Sequence, residues 1–503
     1  MPDAEDIETL LSSATLILIG TVLSSVSGLV ERVIIGRVLG PSEYGTVSIC
    51  LAIVTLAATT SMFGLTQGVP RYMSRFDSIS KRRGVWASGM LIATLLSIVV
   101  TSSLFVFAEE LSVILLDGTE YTTLLRIFLL TIPFLTALKM AVSGIRGEEN
   151  TIYRTYSHDL LYPLARIGLL GILFLIGVGT VAPSIAYVMG ALITAVVALY
   201  LLNKLFSLTG AINWRFRELV LFSAPLIVSM VMSILLTRTD TIMIGYFRTA
   251  TEAGLYSAAY PIAAGLQLVL SSFGFLYLPL ASRLDAEDSR DETEAVYELT
   301  TKWIYIITFP AFAIFLLFPG QILTFFWGSD YSQAGLSLSI LSLGFFSSAA
   351  AGRNRETISA FGYTKYVMYS NILAFVVNVC MNFYLIPRYG HTGAAISSAV
   401  SFIALNLFVY IILEYKFQVS PISKYSKRTF SALPVVLLPL LMLTKNIIDP
   451  TGVIVILSIP FLGVISILVV IIAGGLQPED GVVLSFVEEK LPIEIPYIRG
   501  WLK

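Results

Sequence analysis

The segment ERVIIGRVLGPSEYG, residues 31–45, has a second version in DTIMIGYFRTATEAG, residues 240–254. Aligned at an offset of 209 the two need no gap: Glu31 meets Asp240, Ile35 meets Ile244, Gly36 meets Gly245, Glu43 meets Glu252 and Gly45 meets Gly254. Pro70 meets Pro279 at the same offset, and at an offset of 210 DGTEY at 117–121 meets WGSDY at 327–331. Matches that keep one order at nearly one offset mark an internal duplication.

The duplicated unit is made of membrane helices. Of 503 residues, 56% are hydrophobic and only 13% are charged, and the mean hydropathy is +0.84. That is too little charge to coat a soluble domain of this size. Apolar runs of about twenty residues recur from end to end, each long enough to cross the hydrocarbon layer. Barrel strands would be about ten residues long and would alternate in polarity, which these runs do not. Fourteen spans are expected, at 12–31, 44–67, 84–107, 121–143, 160–179, 181–203, 218–239, 253–280, 302–318, 333–351, 366–386, 393–413, 429–444 and 453–473. The fold class is an all-α membrane protein. Its expected divisions are an N-terminal six-helix half over 1–203, a second over 204–414, two further helices over 415–473 and a cytoplasmic tail over 474–503.

Charge gives the expected orientation. Of the 32 Lys and Arg residues, 24 fall in the even-numbered gaps, at adjoining helix ends or in the tail, against six on the other side. The gap at 68–83 alone holds Arg71, Arg75, Lys81, Arg82 and Arg83. The positive-inside rule then places both termini in the cytosol. The gap at 108–120 has Glu109, Glu110, Asp117 and Glu120 with no basic residue, and agrees. The acidic start, Met1 to Glu8, lacks the positive region of a signal peptide, so the first apolar run is expected to be a retained helix. The charged stretch 283–298 is expected to be a solvated link, and the tail to lie along the membrane surface. A unit of six spans inserts both copies with the same orientation, giving two parallel repeats around a central cleft, with rocking of the halves as the motion.

Several function classes find no residues here. A net charge of −1 carries no signal for nucleic acid. Cys50 and Cys380 both fall within apolar spans, where small buried core residues are expected; neither a disulfide framework nor a zinc site can be built from them. The sequence has no GxxxxGK[ST] phosphate loop, no metal-spaced His/Cys cluster and no large acidic soluble loop of the kind a membrane glycosyltransferase carries. No enzyme activity and no cofactor are therefore expected.

Two stretches carry a resemblance. VIIGRVLGPSEYGTVS followed by FGLTQGVPRYMSR resembles the N-terminal signature of Wzx-type polysaccharide flippases, in the multidrug/oligosaccharidyl-lipid/polysaccharide exporter superfamily, through Arg37, Leu39, Gly40, Pro41, Glu43, Tyr44, Gly45, Gly64 and Arg71. DTIMIGYF and AGLYSAAYP are similar to that family's seventh-to-eighth-helix motif through Asp240, Gly245, Gly254, Tyr256 and Ala259, and SAFGYTKY at 359–366 to its link before the eleventh helix. Fourteen helices also suit the polysaccharide branch. These motifs have structural readings too: Gly40-Pro41 ends a helix, Ser42 can cap the next with Glu43 in its first turn, and Gly36, Gly45, Gly245 and Gly254 permit close approach.

The resemblance implies a multi-pass plasma-membrane transporter. It would move a polyprenyl-phosphate-linked saccharide from the cytosolic to the outer leaflet for surface polysaccharide or glycoprotein assembly. It would work as a monomer amid membrane lipids and beside glycan-assembly enzymes. The alternatives are a cation-coupled exporter of small organic molecules and a flippase for a peptidoglycan lipid precursor. A phosphate crossing a low-dielectric layer needs a wet cationic cleft. Candidates to line it are Arg32, Arg126, Lys139, Arg166 and Arg238, Arg being suited to bidentate phosphate contacts. Arg126, about 7 Å in from its helix start, and Arg166, about 9 Å in, could instead snorkel to headgroups. Glu31 and Asp240 beside Arg32 and Arg238 are either a cleft cluster able to couple a proton or sodium ion, or interfacial ion pairs. Asn371, Asn378, Asn382 and Asn406 are expected to join helices, and His158 and His391 receive no role.

Overall fold

A computed structural model describes residues 4–287, 289–447 and 450–481, and these are helices and turns without a strand among them. The tail beyond 481, with Lys490, Arg499 and Lys503, and the first three residues lie outside the described residues. The chain packs as two compact units, 1–257 and 258–503.

The first unit begins with α1 (Ala4–Ser61), a helical stretch broken at Gly40 (φ 79, ψ 175). Only glycine takes that backbone without strain, and Pro41, lacking an N–H, suits the first position of the resumed helix. Ser42 therefore lies inside the new first turn instead of capping it. Then follow α2 (Leu65–Met73), α3 (Ile79–Val106), α4 (Ala108–Leu115), α5 (Thr122–Leu129), α6 (Thr131–Gly147) and α7 (Thr151–Arg154). A π-helical turn, Thr155–Leu161, leads into α8 (Tyr162–Leu175), α9 (Ala182–Leu205) and α10 (Phe216–Phe247). α11 (Ala250–Ala264) crosses the unit boundary. The packing units and the sequence halves are different partitions, because α10 lies along α1, α2 and α3.

The second unit continues with α12 (Gln267–Ala286), α13 (Arg290–Leu317), α14 (Pro319–Trp327), α15 (Gly335–Ala351), α16 (Asn354–Ala360) and α17 (Thr364–Ile412). α18 (Lys424–Ile447) and α19 (Gly452–Ile472) follow. The duplication is visible in the order of breaks. α3 and α13 are each 28 residues long. Each is followed after one residue by a short helix, then by a positive-φ segment and a 3-10 turn, Thr119–Tyr121 in one unit and Ser329–Ala334 in the other.

Eleven described helices are long and apolar enough to cross a membrane, or twelve with the bent pair Ala250–Ala264 and Gln267–Gly274 counted as one. The expected fourteen differ mainly at two places. α1 breaks at Gly40, and α17 breaks at Gly390 (φ 55, ψ −134), so each covers two expected spans with no loop between. The stretch 283–298 is not a solvated link. α12 runs to Ala286 and α13 starts at Arg290, with Asp291 and Glu292 in its first turn where the helix dipole favours them. Cys50 is buried as expected, whereas Cys380 is exposed on α17.

α3 shows how a membrane helix packs. Its buried positions include Gly89, Ala93, Ser97 and Thr101, four residues apart, while Leu91, Leu95, Ile98 and Val99 stand exposed. Lipid is as apolar as leucine, so small side chains that let backbones approach take the protein face. Between α2, α3, α6 and α9 lies a core of Leu65, Val69, Met73, Trp86, Met140, Ile145 and Leu202. In the second unit Tyr277, Tyr297, Ile358, Val409 and Leu413 form another. Asn406 donates to Ser347 and Ser348 of α15 (3.1 and 3.0 Å), and Asn378 to Ser398 across the Gly390 break (3.5 Å). Arg355 donates to Asn371 (3.3 Å) and Asn382 to Asn378 (3.0 Å).

The first residues after α19, to 481, are latched inside the second unit, and the rest of the tail expected along the membrane surface lies outside the described residues. Asp480, fully buried, accepts from Lys302 Nζ (2.5 Å), Trp303 Nε1 (2.8 Å) and the Gln477 N–H (2.7 Å).

One very close backbone approach in the first unit joins repeat-related positions. A Cβ on Gly45 would collide with the Ala250 carbonyl oxygen and come 2.7 Å from the Gly254 nitrogen. A Cβ on Gly254 would collide with the Pro41 carbonyl oxygen and come 3.0 Å from the Gly45 nitrogen. Gly245 similarly faces the Leu115 carbonyl oxygen, 2.7 Å from its absent Cβ. Asp117 accepts from the Ala250 N–H (2.7 Å), capping α11, and Tyr44 donates to the Ser257 carbonyl (3.2 Å). Gly45→Ala should cost about 2 kcal/mol through overpacking and lower the melting temperature in detergent. Gly168→Ala, whose Cβ meets nothing within 4 Å, should not lower it. Equal melting of the two variants would contradict this contact.

Candidate functional site

A cavity of about 490 Å³ opens in the first unit between α1, α6, α7, the π turn and α10. Its cations come from two places. Lys139 and Arg146 on α6 are seven residues apart and so share one face, with Ser143 between them. Arg154, ending α7, and His158, in the π turn, supply the rest. Asn150 starts this segment by accepting from the Tyr153 N–H (2.8 Å). Thr55 and Thr59 of α1, with Met62 just after its end, face the same space, and Met230, Ser233 and Ile234 close it from α10. No carboxylate is among the lining residues.

The cations are linked behind the cavity wall. Lys139 Nζ is hydrogen-bonded to His158 Nε2, and His158 Nδ1 lies 2.6 Å from Asp159 Oδ1. Arg154 stands 3.7 Å from the other Asp159 oxygen. Asp159 is buried, and a Cβ on Gly20 would come 3.2 Å from its Oδ2, so α1 presses on this turn. Arg146 donates to the Thr66 carbonyl (3.4 Å). One carboxylate thus serves two cations and a histidine, leaving a surplus of positive charge toward the cavity. Sites of this volume hold small ligands or headgroups.

A second cluster lies apart from the lining. Glu31, buried, pairs with Arg166 at 3.0 Å, and the Arg166 guanidinium is held between the rings of Tyr162 (4.3 Å) and Tyr187 (4.5 Å). Gly190 makes room for it: a Cβ there would come 2.7 Å from Arg166 Cγ. Asp240, also buried, accepts from the Tyr256 hydroxyl. Arg32 and Arg238 both lie near enough to the Tyr44 hydroxyl to act on it electrostatically.

Of the five expected cleft cations, only Lys139 lines the cavity. Arg166 ends on Glu31, across 135 residues of sequence, so it does not reach into the cavity and Glu31 is not paired with its neighbour alone. Arg126 stacks over Phe105 (5.2 Å), outside the lining. Sequence reasoning missed Arg146, Arg154 and His158. The spacing of Lys139 and Arg146 was a usable signal, but the π turn that brings His158 to Lys139 has no sequence mark.

Broken, duplicated membrane helices that enclose a cation-rich cavity define a multi-pass membrane transporter. The family described as polysaccharide biosynthesis protein matches residues 10–285, more than half of the chain, and the protein belongs to it. A MatE family also matches, over 225–384. The probable low-salt glycan biosynthesis flippase Agl15 of Haloferax volcanii is 24% identical over 77% of this chain and 80% of its own. The putative O-antigen transporter of Shigella flexneri is 22% identical over 73% and 88%. The solved structure of a lipid II flippase, MurJ, in an inward closed conformation matches with a TM-score of 0.71 at 14% identity, covering 94% of this chain and 99% of its own. An inward-facing multidrug resistance MATE family transporter matches at 0.65 and 14%, covering 82% and 96%. These two likenesses show the shared fold.

Removing one partner of the Glu31–Arg166 pair strands a buried charge. Glu31→Gln and Arg166→Met should each cost about 3–5 kcal/mol, and the two together should cost far less than the sum. Thermal melts of the four proteins measure this; additive losses in the double variant would refute a coupled pair.

Proposed function

We propose that the protein translocates a polyprenyl-phosphate-linked saccharide from the cytosolic to the outer leaflet of the plasma membrane, for surface polysaccharide or glycoprotein assembly. The observation that carries this reading is the cavity, which is cationic, lined with hydroxyls, partly apolar and without a lining carboxylate. A phosphate or diphosphate in hydrocarbon needs compensating charge, and guanidinium and ammonium groups provide it. Hydroxyls of Thr55, Thr59, Ser143 and Ser233 suit sugar hydroxyls, while the lipid tail stays in the bilayer. The printed names of the curated relatives, a glycan biosynthesis flippase and an O-antigen transporter, support the same class of cargo.

In this reading the chain works by alternating access of its duplicated helices, as a transporter and not an enzyme, with both termini cytosolic and a proton or sodium gradient as its coupling source. It acts as a monomer and hands its cargo to glycan-assembly enzymes. The MatE match and the MATE-like fold favour a second reading, export of small organic molecules. A cationic cavity repels organic cations, so that reading is confined to anionic or neutral cargo.

Proteoliposomes loaded with a labelled polyprenyl-diphosphate saccharide test the proposal. Wild-type protein should move the label between leaflets, and Lys139→Ala with Arg154→Ala should lower the rate by about tenfold or more, as expected when charge-assisted hydrogen bonds are lost. In cells, deleting the gene should leave a lipid-linked glycan accumulating on the inner face. Transport of soluble organic anions with no movement of the glycolipid would favour the exporter.

A further inference from the structure

With Lys139 protonated, the Lys139–His158–Asp159 chain has one consistent assignment of protons. A lysine ammonium only donates, so His158 Nε2 must accept from it; Nδ1 then carries the proton and donates to Asp159. His158 is therefore neutral in this state, and the ammonium that should meet cargo is occupied by an imidazole. A protonated ring would point its Nε2–H at the ammonium, so Lys139 and a second proton on His158 exclude each other as long as they touch.

The surroundings sharpen this exclusion. Of the charged groups on the elements packed around the π turn, Lys139 on α6, Arg154 on α7 and Asp159 beside the ring act on His158. Arg146 shares the face of Lys139, Arg166 on α8 is paired with Glu31 on α1, and Arg32, Arg37 and Glu43 on α1 and Lys204 on α9 lie elsewhere on those helices. The tyrosines on these elements include Tyr153, Tyr156, Tyr162 and Tyr187, the last two stacked on Arg166. Glu31 is committed to Arg166, which leaves Asp159 as the carboxylate serving His158 and Arg154. An anion arriving in the cavity would draw the ammonium away.

Resting on the proposed anionic cargo, we infer that Lys139 and His158 form a proton-linked anion site. A diphosphate headgroup entering the cavity takes the Lys139 ammonium from His158, and the freed Nε2 accepts a proton from solvent, leaving an imidazolium paired with Asp159. The reverse also holds: protonating His158 releases Lys139 into the cavity. Proton and anion each tighten the other's binding by the same factor, as linkage requires. A π turn is a fitting frame, since such insertions re-aim side chains at functional positions.

The test uses the full chain in nanodiscs and a soluble dialkyl diphosphate, whose two charges do not titrate near neutrality. Affinity should fall by roughly tenfold from pH 6 to pH 8, the range in which an imidazole changes charge. Calorimetry in buffers of different ionisation enthalpy should show protons taken up on binding. His158→Gln should still bind, with an affinity flat in pH and no uptake; Lys139→Ala should bind weakly at every pH. Wild-type binding that is pH-independent, or without proton uptake, overturns this inference and leaves the cargo reading standing. No binding by the wild type at any pH overturns both. The proton count on wild-type protein decides the matter even if the His158 variant fails to fold.

Discussion

Two backbones touch at Gly45 and Gly254 with no side chain between them, and much of the first unit is arranged around that contact. In water, burying apolar area drives helices together; within lipid that gain is small, and close van der Waals contact with satisfied polar groups must replace it. The glycines provide the contact. The break at Gly40 and the start of α11 at Ala250 bring both chain segments to it, and Asp117 satisfies an N–H that α11 would otherwise leave open. Each of these positions belongs to the duplicated motif or sits beside it, so the sequence likeness between 31–45 and 240–254 reflects a shared packing task.

Charge in this protein is sorted by how it is balanced. Glu31 with Arg166, and Lys302 with Asp480, are pairs that sit within packed structure and leave little net field. Burying such pairs adds little stability compared with apolar substitutes, but losing one member is costly. The cavity cations are different: Lys139, Arg146, Arg154 and His158 share a single nearby carboxylate, Asp159. An imbalance of that kind is unfavourable in an apolar surrounding unless something else neutralises it, which makes an anionic occupant the natural complement.

The repeat, the apolar spans and the role of the small residues were legible because each depends on local composition or on spacing. Gly45 and Gly254 stood out at a fixed offset, and a glycine has few reasons to persist there other than close approach. The broken helices were harder. Gly40-Pro41-Ser42 and the stretch PRYGHT at 387–392 have the composition of turns, so expected spans stayed separate where the backbone runs on. The stretch 283–298 looked like a link because its charges are dense, yet acids at the start of α13 stabilise a helix as well as they solvate a loop. Among the site residues, partners distant in sequence were not legible: nothing local joins Glu31 to Arg166. His158 was passed over because a lone histidine near an apolar run carries no pattern, and its meaning comes from a π turn that forms only in context.

The latch at Asp480 has a consequence in time. Lys302 and Trp303 enter α13 with their polar groups aimed at a carboxylate 178 residues further along the chain. At ordinary rates of synthesis that interval is about 10–40 s. The second unit therefore spends the last part of its birth with a lysine awaiting its counter-charge. Its final packing can be completed only after α19 has been made, whereas Glu31 and Arg166 are both present early enough for the first unit to settle while the ribosome is still at work.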